Sequence, residues 1–352
     1  MKTVCVLGGG GFIGSHLLER LLPSAEWQCI GVDREKARIR HLLSHPRLRF
    51  VEGDLYALPE AVEIIQESDV IVSLASICNP AYYNTEPLKV IASNYDLPVQ
   101  VVRACARFRK RLVHFSTSEV YGKTPAALGF PMQAKEQVLR EESTPLILGP
   151  VERQRWSYAC AKQLLERVIY AYGEEEGMDY TVIRPFNFVG PRMDYLPGVD
   201  GNGVPRVMAC FMDALIHGKP LQVVDGGRNR RVFTWIGDAV DAIMAVLEKP
   251  GACMRRTFNV GNPENELSIR ELAQRLLEIY PGVSGLPVPG GCKIVDVDSG
   301  LFYGKGYDDS DRRIPDISLA GRLLGWHPKT GIDQTLEKTM EGFLKQYNLL
   351  HV

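Results

Sequence analysis

Through the first half of the chain, short apolar runs alternate with stretches in which apolar residues recur every three or four positions. The runs at 3–7, 28–32, 48–52, 70–74, 111–115 and 180–184 are rich in Val, Ile, Leu and Phe and predict strands. The stretches at about 12–22 and 90–108, and the one running on from Tyr158, predict helices. Strands alternating with helices imply parallel strands joined by right-handed crossovers, so the expected class is α/β with a Rossmann-like doubly wound parallel sheet.

From about residue 193 the pattern changes. A Gly-rich segment, PGVDGNGVP, leads to a predicted helix at 207–217 and a short strand in LQVVDGG. A further helix, IGDAVDAIMAVLEK, precedes a strand candidate in FNVGN, and the tail carries helices near 268–279 and 331–347. This half reads as a smaller mixed α/β unit packed tightly on the first.

At 352 residues and 45% hydrophobic, the chain has ample core for two joined domains. The formal net charge of -1, without long runs of one sign, argues against nucleic acid or an anionic membrane surface as partner. No stretch has the apolar length of a membrane span, and the opening MKTVCVLGGGGFIG reads as a strand entering a turn rather than a secretory signal. The eight cysteines are scattered without paired or His-clustered spacing, which predicts structural thiols in a cytosolic protein, with neither a disulfide framework nor a metal site.

Gly8, Gly11 and Gly14 form G-x-x-G-x-x-G between the first strand and the first helix. Such a turn lets backbone approach a pyrophosphate at the positive helix N-terminus. Asp33 follows at the end of the next strand, 19 residues beyond Gly14, where it can accept hydrogen bonds from ribose hydroxyls. Its charge favours NAD over NADP, tempered by the adjacent Arg34. Asp54 is an adenine-edge candidate, and Phe12, Ile13, Leu55, Leu74 and Ala75 are further expected cofactor contacts. The NAD-binding domain is expected at residues 1–190 with roughly 229–262, and the ligand-binding one at 191–228 and 263–352.

In RWSYACAKQLLER, Tyr158 and Lys162 lie four residues apart, on one helix face. An ammonium near a phenol favours the phenolate and makes the tyrosine a usable base.

With the glycine turn, STSEVYG, YACAK and RPFNFVGPR, the chain resembles the extended short-chain dehydrogenase/reductases acting on nucleotide sugars. Within them it looks most like UDP-glucuronic acid decarboxylases, especially the C-terminal decarboxylase domain of the bifunctional polymyxin-resistance enzyme, with GPVERQRWSYACAKQLLERVIYAYGEEEG, NVGNPENE and YGKGYDDSDRR among the similar segments. No counterpart of the formyltransferase half is expected in these residues. The resemblance implies that Tyr158 takes the proton of the sugar 4-hydroxyl, that Lys162 supports it and binds the nicotinamide ribose, and that Thr117 helps hold the sugar. It implies a second step, loss of the substrate carboxylate, served by Ser118, Glu119 and Arg313, with a phosphate-clamp role as the rival for Arg313. Tyr83, Arg155, Asn187, Arg206, Arg231 and Tyr307 are the implied substrate contacts, and Gln222 stands where the polymyxin-resistance enzyme has lysine. The substrate implied is UDP-glucuronic acid, the product UDP-4-keto-pentose or UDP-xylose, and the assembly a homodimer. A nucleotide-sugar 4-epimerase or 4,6-dehydratase is the nearest alternative, and a non-catalytic NAD-sensing protein a more distant one.

Overall fold

The computed structural model describes residues 1–350 except 56, 59, 131, 132, 134–136, 202 and 303–307. Its central sheet has seven strands: β1 Lys2–Leu7, β2 Trp27–Asp33, β3 Leu48–Glu52, β4 Val70–Ser73, β5 Arg111–Phe115, β6 Tyr180–Pro185 and β7 Arg256–Val260. All neighbours pair parallel, in the order β7-β6-β5-β4-β1-β2-β3. Both faces are covered, which is why β1 and β4 read as continuous apolar runs rather than as alternating ones. The order reverses between β1 and β4, so the carboxyl ends of these strands open a crevice suited to a ligand.

The first helix, Phe12–Leu21, buries Leu17, Leu18 and Leu21 completely. Each contributes up to about 1.5–3 kcal/mol, and together they fix the helix N-terminus over the glycine turn. The helix Ile236–Glu248 packs beside it in the same core.

The stretch at 90–108 departs from the continuous helix its periodicity predicts. It runs as Pro87–Ile91, a π-turn over Ala92–Asp96, then Pro98–Phe108. Pro98 has no N–H for the carbonyl four residues earlier, and the ladder widens so that the Leu97 amide bonds the Ala92 carbonyl at 3.0 Å.

A second core gathers the helices Val207–His217, Ile269–Ser284 and Ile332–Gln346 around Phe211, Met212, Leu276 and Met340. A four-stranded sheet, ordered Glu266–Ser268, Arg230–Val232, Arg312–Pro315, Val138–Leu139, lies beside the crevice. Its strands of two to four residues are too short for their periodicity to be read.

Candidate active site

Steric constraints make the glycine turn a candidate cofactor cradle. Gly8 has φ +92°, and a Cβ on Gly14 would lie 2.2 Å from the Gly8 carbonyl oxygen. Gly10, outside the expected triplet, is equally constrained, since a Cβ there would meet the Glu35 carbonyl oxygen at 1.8 Å. The Asp33 carboxylate accepts from the Gly10 amide at 3.0 Å, so the strand-end aspartate and the turn are built as one unit. Burial pushes the Asp33 carboxyl above its ordinary value, while backbone amides of Glu35, Arg34 and Gly10 oppose that. Leu74 and Ala75 pack against Gly8, and Phe12, Ile13 and Leu74 line a cavity of about 160 Å³. The Leu55 side chain is buried in the core with Leu7 and Val32. Asp54 lies half-exposed, 3.9 Å from the guanidinium of Arg34. The tight turn, helix terminus and acidic strand end fit a bound dinucleotide.

The same cavity is lined by Thr117, Ser118, Glu119, Tyr83 and Tyr158. Tyr158 is 4% exposed and stacks on Tyr83, ring centroids 4.8 Å apart with 12° between planes. Lys162, itself buried and one turn along the helix Ser157–Glu175, donates to the Phe115 carbonyl at 2.9 Å. Burial is the main influence on both. It pushes the Tyr158 phenol well above its usual range, reinforced by Cys78 and Glu119 and opposed by a hydrogen bond with Thr117 and by Arg155. It brings the Lys162 ammonium down to about 8, against Cys78 and Glu166. These surroundings favour the protonated phenol, and Lys162 is not among the groups that oppose them most. Bound NAD would supply the hydride acceptor and a cationic ring beside the phenol; among residues, Thr117 and Arg155 favour the phenolate.

A charge cluster forms the far wall. Arg155 pairs with Glu119 at 2.6 Å and Asp309 at 3.1 Å, Arg231 with Asp309 at 2.8 Å, and Arg313 with Glu119 at 3.5 Å and Asp309 at 3.6 Å. Strand register explains the grouping. Arg230 lies opposite Arg312 and Arg231 opposite Arg313, in parallel pairing. Side chains alternate across the sheet, so Arg230 and Arg312 share Glu266 on one face, both at 2.8 Å, while Arg231 and Arg313 share Asp309 on the other. Burial works against ionising Glu119, but Arg155 and Arg313 hold its carboxyl below the ordinary value. Asp309 is held far lower by Arg231, Arg155 and Arg313, which likewise outweigh burial. Three guanidinium groups against two carboxylates leave these five groups with one surplus positive charge, suited to an anion.

A larger cavity, about 280 Å³, opens beyond the cluster. Both cavities are lined by Glu119, Arg313, Asn187, Arg206 and Cys78, so the two meet at these residues. Asn187, at φ +39°, donates to the Val232 carbonyl at 2.9 Å. Arg206 is held by Asp194 at 3.1 Å, and its guanidinium lies 5.8 Å from the centre of the Phe12 ring. Arg231 donates to Ser310 and to the Arg230 carbonyl besides Asp309, which makes it a member of the cluster. Gln222 lines the larger cavity, and Tyr307 lies outside the described residues.

Two functional candidates escaped the reading of the sequence. Asp309 organises three arginines, and its signal was available in YDDSDRR, where carboxylates adjoin paired arginines. Cys78 corrects the expectation of purely structural thiols: it is exposed and lines both cavities, whereas Cys5, Cys29, Cys105 and Cys253 are buried. Among the described residues no group of three or more His, Cys, Asp or Glu could hold a metal ion, and no helix is long and apolar enough to cross a membrane.

Residues 4–261 match the model of the NAD dependent epimerase/dehydratase family. The chain belongs to that family. It is 46% identical to a UDP-D-apiose/UDP-D-xylose synthase of Oryza sativa subsp. japonica, over 98% of this chain and 90% of that one. A synthase of the same description from Arabidopsis thaliana is 45% identical over 96% and 90%. Among solved structures, the PbgP3 protein of Burkholderia pseudomallei superposes with a TM-score of 0.84 at 33% identity, covering 99% of both chains. The family is NAD dependent, and the glycine turn and Asp33 have a shape that fits that cofactor.

Proposed function

We propose that this chain oxidises UDP-glucuronic acid at C4 with NAD, decarboxylates the resulting 4-keto sugar, and returns the hydride to give UDP-linked pentoses. The observation that carries this reading is the junction of the two cavities, where Tyr158 and Thr117 face one side and the Arg155, Glu119, Arg313 cluster the other. Tyr158 takes the proton of the C4 hydroxyl as the hydride leaves C4. The product is a β-keto acid. Its C5–C6 bond breaks, carbon dioxide departs, and the electron pair enters an enolate spread onto the C4 oxygen, which the Tyr158, Thr117 and Ser118 hydroxyls would hold. A proton then returns to C5. Arg155 and Arg313 orient the departing carboxylate, and Glu119, ionised beside it, favours expulsion.

The relatives named UDP-D-apiose/UDP-D-xylose synthases support extending the reading to a branched product. In the 4-keto pentose the C2 hydroxyl lies β to the carbonyl, so the C2–C3 bond can break by a retro-aldol step to a C2 aldehyde and a C3–C4 enediolate. Attack of C4 on C2 then forms a C2–C4 bond, leaves C3 as an exocyclic aldehyde, and the hydride returns to C3. The test is turnover with NAD below the substrate concentration. A pool of UDP-xylose and UDP-apiose, resolved by NMR, with no lasting NADH is expected. One NADH per UDP-4-keto-pentose would show that the hydride is not returned.

We also propose a homodimer joined through the helices spanning 87–108 and 157–175, which leave Leu88 81% and Leu164 46% exposed in the single chain. Light scattering at micromolar concentration should give twice the chain mass, and a monomer would contradict it.

A further inference from the structure

A buried ion pair lies just outside both cavities. Glu166 follows Lys162 by four residues and Tyr158 by eight, so the three stack along one buried face of the helix Ser157–Glu175. Arg184, near the end of β6, grips Glu166 with both carboxylate oxygens engaged, Nε to Oε1 at 3.0 Å and Nη2 to Oε2 at 2.6 Å, each side chain 6% exposed. The Arg184 guanidinium also lies 4.7 Å from the centre of the Tyr121 ring, and the Tyr121 hydroxyl donates to Asn259 at 2.9 Å. Tyr121 closes the Ser118–Tyr121 turn that carries Ser118 and Glu119. Gln163, adjacent to Lys162, ties the same turn to the helix through the Val120 carbonyl at 2.6 Å. One ion pair thus contacts the catalytic turn on one side and neighbours the catalytic lysine on the other.

We propose that Glu166 and Arg184 form a positioning pair: Glu166 supplies the counter-charge for the buried Lys162 ammonium, and Arg184, by occupying both carboxylate oxygens, keeps Lys162 on Phe115 and at the cleft. A lone carboxylate one turn from Lys162 would pull the ammonium toward itself. A bidentate guanidinium satisfies that carboxylate, fixes its direction and leaves its field acting on Lys162. The other groups acting on or facing Lys162 are Cys78 from the segment after β4, the buried His114 of β5 and Tyr158 on its own helix. Tyr121, Glu141 and Tyr170 surround the pair itself. The inference rests on the Tyr158–Lys162 reading of the site.

The experiment follows saturated turnover of UDP-glucuronic acid against pH for the native chain, Glu166→Gln, Arg184→Met and the double variant, with circular dichroism to verify folding. Turnover requires the Lys162 ammonium and falls as it deprotonates. Glu166→Gln removes the counter-charge and should move the high-pH limb down by about one pH unit. Arg184→Met releases Glu166 toward Lys162 and should move the limb up while lowering turnover at neutral pH with KM nearly unchanged. Removing one partner of a buried pair strands the other, so either single variant can fail to fold. The double variant leaves no stranded charge, and its limb should lie below the native one and above that of Glu166→Gln, where the unpaired Arg184 cation adds its repulsion. A folded double variant with the native limb overturns the proposal, as does a folded Glu166→Gln variant with the native limb. A native chain that turns over UDP-glucuronic acid with no high-pH limb overturns the Tyr158–Lys162 reading together with the pair.

Discussion

Tyr158→Phe is expected to abolish C4 oxidation, lowering turnover by about 10²–10⁴-fold, while UDP-glucuronic acid still binds. The phenylalanine ring keeps the stack on Tyr83 at the same place, so the cavity wall persists and only the proton acceptor is lost. Burial and the neighbouring Cys78 and Glu119 raise the phenol above its usual range, so oxidation depends on bringing the sugar hydroxyl and the cationic cofactor ring to this one oxygen. Isothermal titration beside stopped-flow NADH absorbance separates the two effects. Near-native turnover in the variant would remove Tyr158 as the base.

The second large effect is expected at Arg313. It is buried, and it shares Glu119 and Asp309 with Arg155 and Arg231, so its removal leaves both carboxylates with another guanidinium. The cluster should persist, and the damage should fall on the step that needs Arg313. Arg313→Ala is predicted to lower saturated carbon dioxide release by roughly 10²-fold with the dissociation constant of UDP-glucuronic acid changed only a few-fold, the pattern of a group acting mainly in the transition state. Glu119→Gln should fall in the same direction. A phosphate clamp would give the reverse, weakened binding with saturated turnover nearly kept, and that result would reduce Arg313 to a binding residue.

The difference between these two residues reflects what a sequence can carry. Tyr158, Lys162 and the glycine turn lie within single helices and turns, where spacing along the chain is spacing in the molecule, and each was legible before the structure. The seven-stranded sheet was legible for the same reason, since strands covered on both faces are continuous apolar runs. The cluster is assembled from positions 119, 155, 231, 309 and 313, on elements that local pattern does not join. Resemblance supplied four of them singly. It did not supply Asp309, because a carboxylate beside arginines in a loop reads as a solvated charge until the register of two strands places Arg231 next to Arg313. The π-turn at Ala92–Asp96 was hidden differently: apolar periodicity runs through it, and only the missing amide of Pro98 breaks the ladder.

The central claim is that one site both oxidises C4 and expels the substrate carboxylate. It is tested most directly by incubating the pure protein with NAD and UDP-glucuronic acid labelled at C6 and trapping the gas released. Labelled carbon dioxide in step with substrate consumption, abolished by Tyr158→Phe, is the predicted result. Consumption of the substrate without labelled carbon dioxide, accompanied by its C4 epimer, would contradict it and make the chain an epimerase.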